Sequence, residues 1–158
     1  MRRHALPAAA LLAVAGGAAL LVLWVGGVFD DGGKEDNTLS RTAYVAQLQQ
    51  LCREAGRKLA QVPAPSNSDP RALANSIDQA LPVLRQAIAD EEKLKPPKDL
   101  EAQAKRAFGL SDESVRALEE SRRRAAAGDG PGALRALTKF EQIRDRARAA
   151  GLVLGLRC

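Results

Sequence analysis

The sequence predicts an all-α protein: an N-terminal transmembrane helix followed by an extracytoplasmic four-helix bundle, antiparallel and running up-down-up-down. Three features of the 158-residue chain carry that expectation. One uncharged run near the N-terminus is long enough to cross a bilayer. Beyond it, apolar residues recur at steps of three and four, the spacing of one helix face, and hardly anywhere at steps of two. Proline- and glycine-rich breaks then cut the remainder into four segments, and short connections between consecutive helices favour antiparallel neighbours.

From Ala5 to Phe29 there is no charged residue. About 23 helical residues at 1.5 Å each cover about 34 Å, more than a hydrocarbon core of about 30 Å. Arg2, Arg3 and His4 precede the run, while Asp30, Asp31, Glu35 and Asp36 follow it. By the positive-inside rule, residues 1–4 form a cytoplasmic basic flank, residues 5–29 a transmembrane signal-anchor, and the rest lies outside. Trp24 and Phe29 fall near the outer interface. A cleaved secretory signal shares this order of basic start, apolar middle and small residues. The apolar run exceeds the usual signal core, however, and its alanine-rich positions come before Leu20, which favours the uncleaved anchor. A cut after Gly27 would leave a secreted domain instead, and both readings export the remainder of the chain.

Export gives meaning to the two cysteines, Cys52 and Cys158. An oxidising exterior favours a disulfide between them. The residues are 106 positions apart, and the chain-entropy account assigns closing such a loop about 4 to 5 kcal/mol of stabilisation. The expected topology permits the bond. Cys52 lies about 18 Å along the first helix, and an extended tail from Leu152 reaches about 23 Å, with Leu152, Leu154 and Leu156 covering apolar surface.

Residues 30–39 read as a flexible polar stalk and residues 40–158 as the bundle. Ser40 caps the first helix, whose apolar face is Tyr44, Leu48, Leu51, Cys52, Ala55, Leu59 and Val62. After the break at Pro63 and Pro65, Asp69-Pro70 opens the second helix with an acidic cap and a proline that needs no amide donor. Its stripe is Leu73, Ile77, Leu81, Leu84, Ile88 and Leu94, in phase on both sides of Pro82, so the proline kinks the helix without ending it. Beyond Lys95-Pro96-Pro97-Lys98, Asp99 is the expected cap of a third helix reaching Ala127, with Leu100, Ala104, Phe108, Val115, Leu118 and Ala125 inward; Gly109 and Ser111 weaken its middle enough to permit a break. The GDGPG stretch at 128–132 precedes a fourth helix from Gly130-Pro131, with Leu134, Leu137, Phe140, Ile143 or Arg144, Ala147 and Ala150 inward and Gly151 as a left-handed cap.

Several chemistries lose their residues. His4 is the one histidine, on the cytoplasmic flank, so imidazole-based metal or haem sites have no ligands outside. No cofactor is expected. The neighbouring acids Glu91-Glu92, Asp112-Glu113 and Glu119-Glu120 read as solvated surface, since adjacent helical positions diverge by about 100°. Neither glycine-rich run has the lysine and strand of a phosphate loop, and no serine or threonine has an evident base, so no enzyme is expected. Two of the net +5 charges are Arg2 and Arg3, leaving +3 outside. Arg122-Arg123-Arg124 and Arg144, Arg146 and Arg148 lie in or near the last turns of their helices, complementing the helix dipole. Without interleaved aromatics, nucleic acid is not an expected partner. The Arg144, Arg146 and Arg148 group, at the end facing the membrane, is the candidate contact for anionic lipid headgroups or an envelope polymer.

The apolar N-terminal run, Tyr44-Val45 with Cys52, the Ala80–Arg85 stretch ALPVLR, the Leu-Lys-Pro-Pro turn at 94–97 and the closing Gly151-Leu152 with Cys158 together resemble small exported helical proteins of high-GC actinobacteria. The resemblance spans most of the exterior part and implies location and fold, with no functional residue to carry over. The functional expectation is a membrane-anchored binding or scaffolding module of the cell envelope. The alternative is a ligand-sensing or regulatory accessory subunit acting through a membrane-protein partner, since four cytoplasmic residues cannot signal alone.

Overall fold

A computed structural model describes residues 39–65 and 69–157. The basic flank, the segment 5–29, the stalk up to residue 38 and Cys158 lie outside the described residues. Those described are all-helical: α1 spans Arg41–Leu59, α2 Pro70–Glu92, α3 Glu101–Ala126 and α4 Gly130–Leu154, with a 3₁₀ turn Lys98–Leu100 before α3. Among them no helix is long and apolar enough to cross a membrane.

The helix starts follow the sequence signals. Ser40 Oγ accepts from the Ala43 amide, and Leu39, just before this cap, packs against the cluster containing Tyr44, in the manner of a hydrophobic staple. Asp69 accepts from the Arg71 amide ahead of Pro70, and Asp129 accepts from the Gly132 amide ahead of Pro131. Pro82 lies inside an unbroken α2, as the in-phase stripe requires. Helix α3 is likewise continuous through Gly109 and Ser111. The Ser111 hydroxyl donates to the Ala107 carbonyl and the Ser114 hydroxyl to the Ser111 carbonyl, so neither competes for the helix amides.

Helices α2, α3 and α4 pack closely, and their residue pairs set the directions. Ala74, Ala125 and Ala133 meet, joining the starts of α2 and α4 to the end of α3. Ile77 and Leu81 of α2 pack on Val115 and Leu118 of α3, with Leu137 and Phe140 of α4 alongside. At the opposite end, Tyr44 and Leu48 of α1 meet Leu100, Ala104 and Ala107 at the start of α3 and Leu154 at the end of α4. Consecutive helices therefore run antiparallel. The start of α1 and the end of α4 share one end of the bundle, called proximal below.

The α3–α4 seam is built from small residues. On α3 it follows Ala104, Ala107, Ser114, Leu118, Ser121 and Ala125; on α4, Gly132, Ala133, Ala136, Ile143 and Leu154, all buried. On α3 the steps of three, four and seven are those of a coiled-coil stripe. Ser121 is fully buried, and its hydroxyl donates to the Ala133 carbonyl across the seam at 2.9 Å.

Four expectations need correction. Leu134 is exposed, because the close approach of α3 turns Ala133 and Ala136 inward. Asp99 does not cap α3; it lies in the 3₁₀ turn and pairs with Arg41 at 3.2 Å, while Leu100 occupies the cap position with no side-chain bond. Gly151 does not end α4. The helix continues to Leu154, and Gly155 at φ 93° is the left-handed residue. The Leu156 amide reaches the Gly151 carbonyl and the Gly155 amide that of Leu152, the paired bonds of a Schellman end. Finally, the segment from Leu152 is not an extended tail with three covering leucines: Leu154 is buried and Leu156 half-buried, but Leu152 is exposed. A Cβ at Gly151 would stand in ordinary contact with Leu156, 3.5 Å away, so space does not demand glycine there.

Two glycine substitutions separate helix propensity from packing. A Cβ at Gly109 meets nothing within 4 Å, so Gly109→Ala is expected to raise thermal stability by about 1 kcal/mol. A Cβ at Gly132 collides with the capping carboxylate of Asp129 and with Arg124, so Gly132→Ala is expected to lower it by about 1–2 kcal/mol despite alanine's better propensity. Calorimetry of both variants against the parent checks the opposite signs.

Candidate functional site

The arginine group at the end of α3 is consumed by ion pairs. Arg122 grips Asp78 of α2 with Nε at 2.7 Å and a second nitrogen at 3.2 Å. Arg123 and Arg124 both bond Glu120, and Arg124 also reaches Asp129 at 3.0 Å. Hydrogen bonds from Arg123 and Arg124 hold the Glu120 carboxyl below its ordinary range, and the Gly132 amide, then Arg124, does the same for Asp129. Arg85 of α2 meets Glu119 of α3 at 2.7 Å. The cleft between α2 and α3 is lined by these neutralised pairs together with Leu81 and Pro82. Being largely exposed, the pairs add little stability each, but they hold α2 and α3 in register.

The expected lipid-facing arginines divide. Arg144 lies over the Phe140 ring, 5.7 Å from its centre, and pairs with Asp145 at 3.2 Å. Arg146 and Arg148 are exposed and form no ion pair among the described residues. Beyond them, Leu152 and Val153 are 57% and 67% exposed, the most exposed large apolar residues among those described. They form one wall of an open cleft of about 440 Å³, whose other wall is Arg41, Thr42, Val45, Ala46 and Gln49 of α1. Gln49 Nε2 donates to the Gly155 carbonyl across it at 3.0 Å.

Cys52 stands one turn beyond Gln49 on α1, half-buried. No free cysteine is present among the described residues. Gln49 bonds Gly155, so the chain three residues before Cys158 lies against α1 one turn before Cys52.

Sequence reasoning missed one ionisable site. Glu91 was grouped with Glu92 as solvated surface, yet it is half-buried, and burial lifts its carboxyl from 4.5 to about 7, with the Glu92 charge adding to the rise. Its position continues the Leu84–Ile88 stripe of α2, which was the available signal. Tyr44 is wholly buried, and its hydroxyl finds no hydrogen-bond partner among the described residues. Burial pushes the phenol upward, and the charge of Glu91 adds to the rise. Among the described residues, no three His, Cys, Asp or Glu side chains are grouped to hold a metal ion.

In comparisons with protein-family models, curated proteins and solved structures, nothing matches this chain.

A carboxyl raised in the fold retains its proton there while the unfolded chain has lost it, so stability is highest below the unfolded value and declines as pH climbs through the folded one. A rise from 4.5 to about 7 at Glu91 corresponds to a loss of about 3 kcal/mol across that window. Glu91→Gln is expected to flatten this decline and to be the more stable form at pH 8. Tyr44→Phe removes a hydroxyl with no partner and is expected to change stability by less than about 1 kcal/mol. Denaturant melts from pH 4 to pH 8 check both.

Proposed function

We propose that the protein is a membrane-anchored, non-catalytic helical module of the cell envelope, held by residues 5–29 with its bundle on the extracytoplasmic side, acting in binding or scaffolding. The observation that carries this reading is the uncharged run from Ala5 to Phe29, with basic residues before it and acidic residues after it. The described bundle is compatible with such a tether, because α1 begins at the end where α4 finishes and leaves the distal end of the bundle free. The resemblance to exported helical proteins of high-GC actinobacteria adds to the export reading and to nothing finer.

A disulfide between Cys52 and Cys158 belongs to the same reading. The contact of Gln49 with Gly155 supports it by bringing the end of the chain against α1, as does the absence of a free cysteine among the described residues. It also answers a structural need. Helix α1 contributes Tyr44 and Leu48 alone to the buried core, both in its first half, whereas Leu51, Cys52, Ala55 and Leu59 are only half-buried. A bond at Cys52 fastens the half of α1 that apolar packing holds least.

The bound partner is an envelope polymer, an anionic lipid surface or a membrane protein. The arginines with charge to spare, Arg146 and Arg148, favour an anionic one.

Two measurements test this. Membranes from a producing cell, washed with alkaline carbonate, are expected to retain the chain with its N-terminal residues intact by mass spectrometry; a mature start near residue 28 overturns the anchor. Alkylation without reductant is expected to label no thiol. Cys52→Ser is expected to cost on the order of 4 kcal/mol, and two labelled cysteines in the unreduced parent overturn the bridge.

A further inference from the structure

Large exposed apolar residues on a soluble helix are ordinary when scattered and informative when adjacent at a defined place. Leu152 and Val153 are adjacent, in the last turn of α4, beside Val45 and Ala46 of α1. The third such residue among those described, Leu134, is near the other end of the same helix. One turn before Leu152 stands Arg148, two turns before Val153 stands Arg146, and Arg157 follows the helix; all three are exposed and form no ion pair among the described residues. Of the acids at this end, Asp145 is engaged with Arg144 and Asp99 with Arg41, Glu101 forms no ion pair among the described residues, and the tether carries Asp30, Asp31, Glu35 and Asp36 against Lys34. An apolar edge rimmed by unpaired cations is the composition of a surface that rests in the headgroup region of an anionic bilayer.

The chain places that edge near a membrane. Between the apolar run ending at Phe29 and the first packed residue, Leu39, lie nine residues. Fully extended they reach about 32 Å. Leu39 belongs to the Tyr44 and Leu154 cluster at the proximal end, the end that carries Leu152 and Val153. A tether of that length turns docking into an intramolecular event, so a small patch suffices.

We infer that the Leu152–Val153 edge, with Arg146, Arg148 and Arg157 around it, docks the bundle proximal end down onto an anionic phospholipid surface. The inference rests on residues 5–29 being the anchor. It goes further in naming the lipid and the orientation.

The test uses the full chain reconstituted in vesicles of phosphatidylglycerol and phosphatidylcholine that carry shallow brominated lipid. Trp24→Phe removes the chain's one tryptophan, and Leu152→Trp or Leu134→Trp places a single reporter at either end of α4, about 27 Å apart along the helix. Val153→Trp serves if Leu152→Trp loses helical circular dichroism. Quenching is expected to be several-fold stronger at position 152 than at 134, and to fall to the level of 134 in pure phosphatidylcholine or after charge reversal of Arg146, Arg148 and Arg157. Equal quenching at both positions in carbonate-resistant protein overturns the docking while leaving the anchor in place. Protein washed off by carbonate overturns the anchor; in that case preferential quenching at 152 before the wash still supports docking, and its absence overturns it. A reporter at 152 that is shielded from brominated lipid in chemically cross-linked dimers assigns the edge to a second copy of the chain and overturns the lipid reading.

Discussion

The close approach of α3 and α4 is the constraint on which the rest of the bundle depends. Alanine, glycine and serine line most of that seam, and a fully buried serine hydroxyl bonds a carbonyl of the opposing helix. Small side chains bury little area each, so the gain comes from many backbone and Cβ atoms in contact at near-crystal density. The arrangement leaves little tolerance. An added methylene at Ala125 or Ala133, both wholly buried, must push two helices apart. Helix α2 then packs its larger side chains, Ile77 and Leu81, against Val115 and Leu118, positions that the seam has already oriented.

The two ends of the bundle differ in kind. Around Ala74, Ala125 and Ala133 the chain is tight, and the Asp129 cap and the Arg124 pair close the end with satisfied polar groups. The proximal end holds Tyr44, whose buried hydroxyl has no partner, and Glu91, whose burial disfavours its charge. Each lowers local stability in a way an apolar residue would not. Helix α1, seated there through Tyr44 and Leu48, is the least firmly packed of the four.

Much of this was legible in the sequence because helix starts and turns are local. Ser40, Asp69-Pro70 and Gly130-Pro131 announce themselves through a missing or satisfied amide, and the apolar phase across Pro82 shows that α2 continues. What failed was the assumption that large apolar residues mark the buried face. On α4 that rule selected Leu134, whereas the seam selected Ala133 and Ala136, because interhelical distance is a property of two helices and neither sequence states it. The same reason hid Ser114 and Ser121. Gly151 and Gly155 look alike in sequence; only Gly155 takes the left-handed conformation, and Gly151 stays within the helix. Glu91 was discounted for its charge although its spacing from Leu84 and Ile88 placed it on the stripe. The candidate site was legible only in part: the sequence singled out Arg144, Arg146 and Arg148, but it read Leu152 as covering apolar surface, whereas Leu152 and Val153 are exposed.

The contact between Leu154 and the Tyr44–Leu48 pair orders events at synthesis. Helix α1 precedes the other three, and while part of its seat is α3, its last buried contact, Leu154, comes more than a hundred residues later, in the last turn of α4. Helices α3 and α4, joined by a tight turn, can pair as soon as both emerge, since their contacts span short loops. Until then Tyr44 and Leu48 pack on an incomplete cluster, formed with Leu100, Ala104 and Ala107. The last turn of α4 thus completes a seat for the first helix that α3 has already begun.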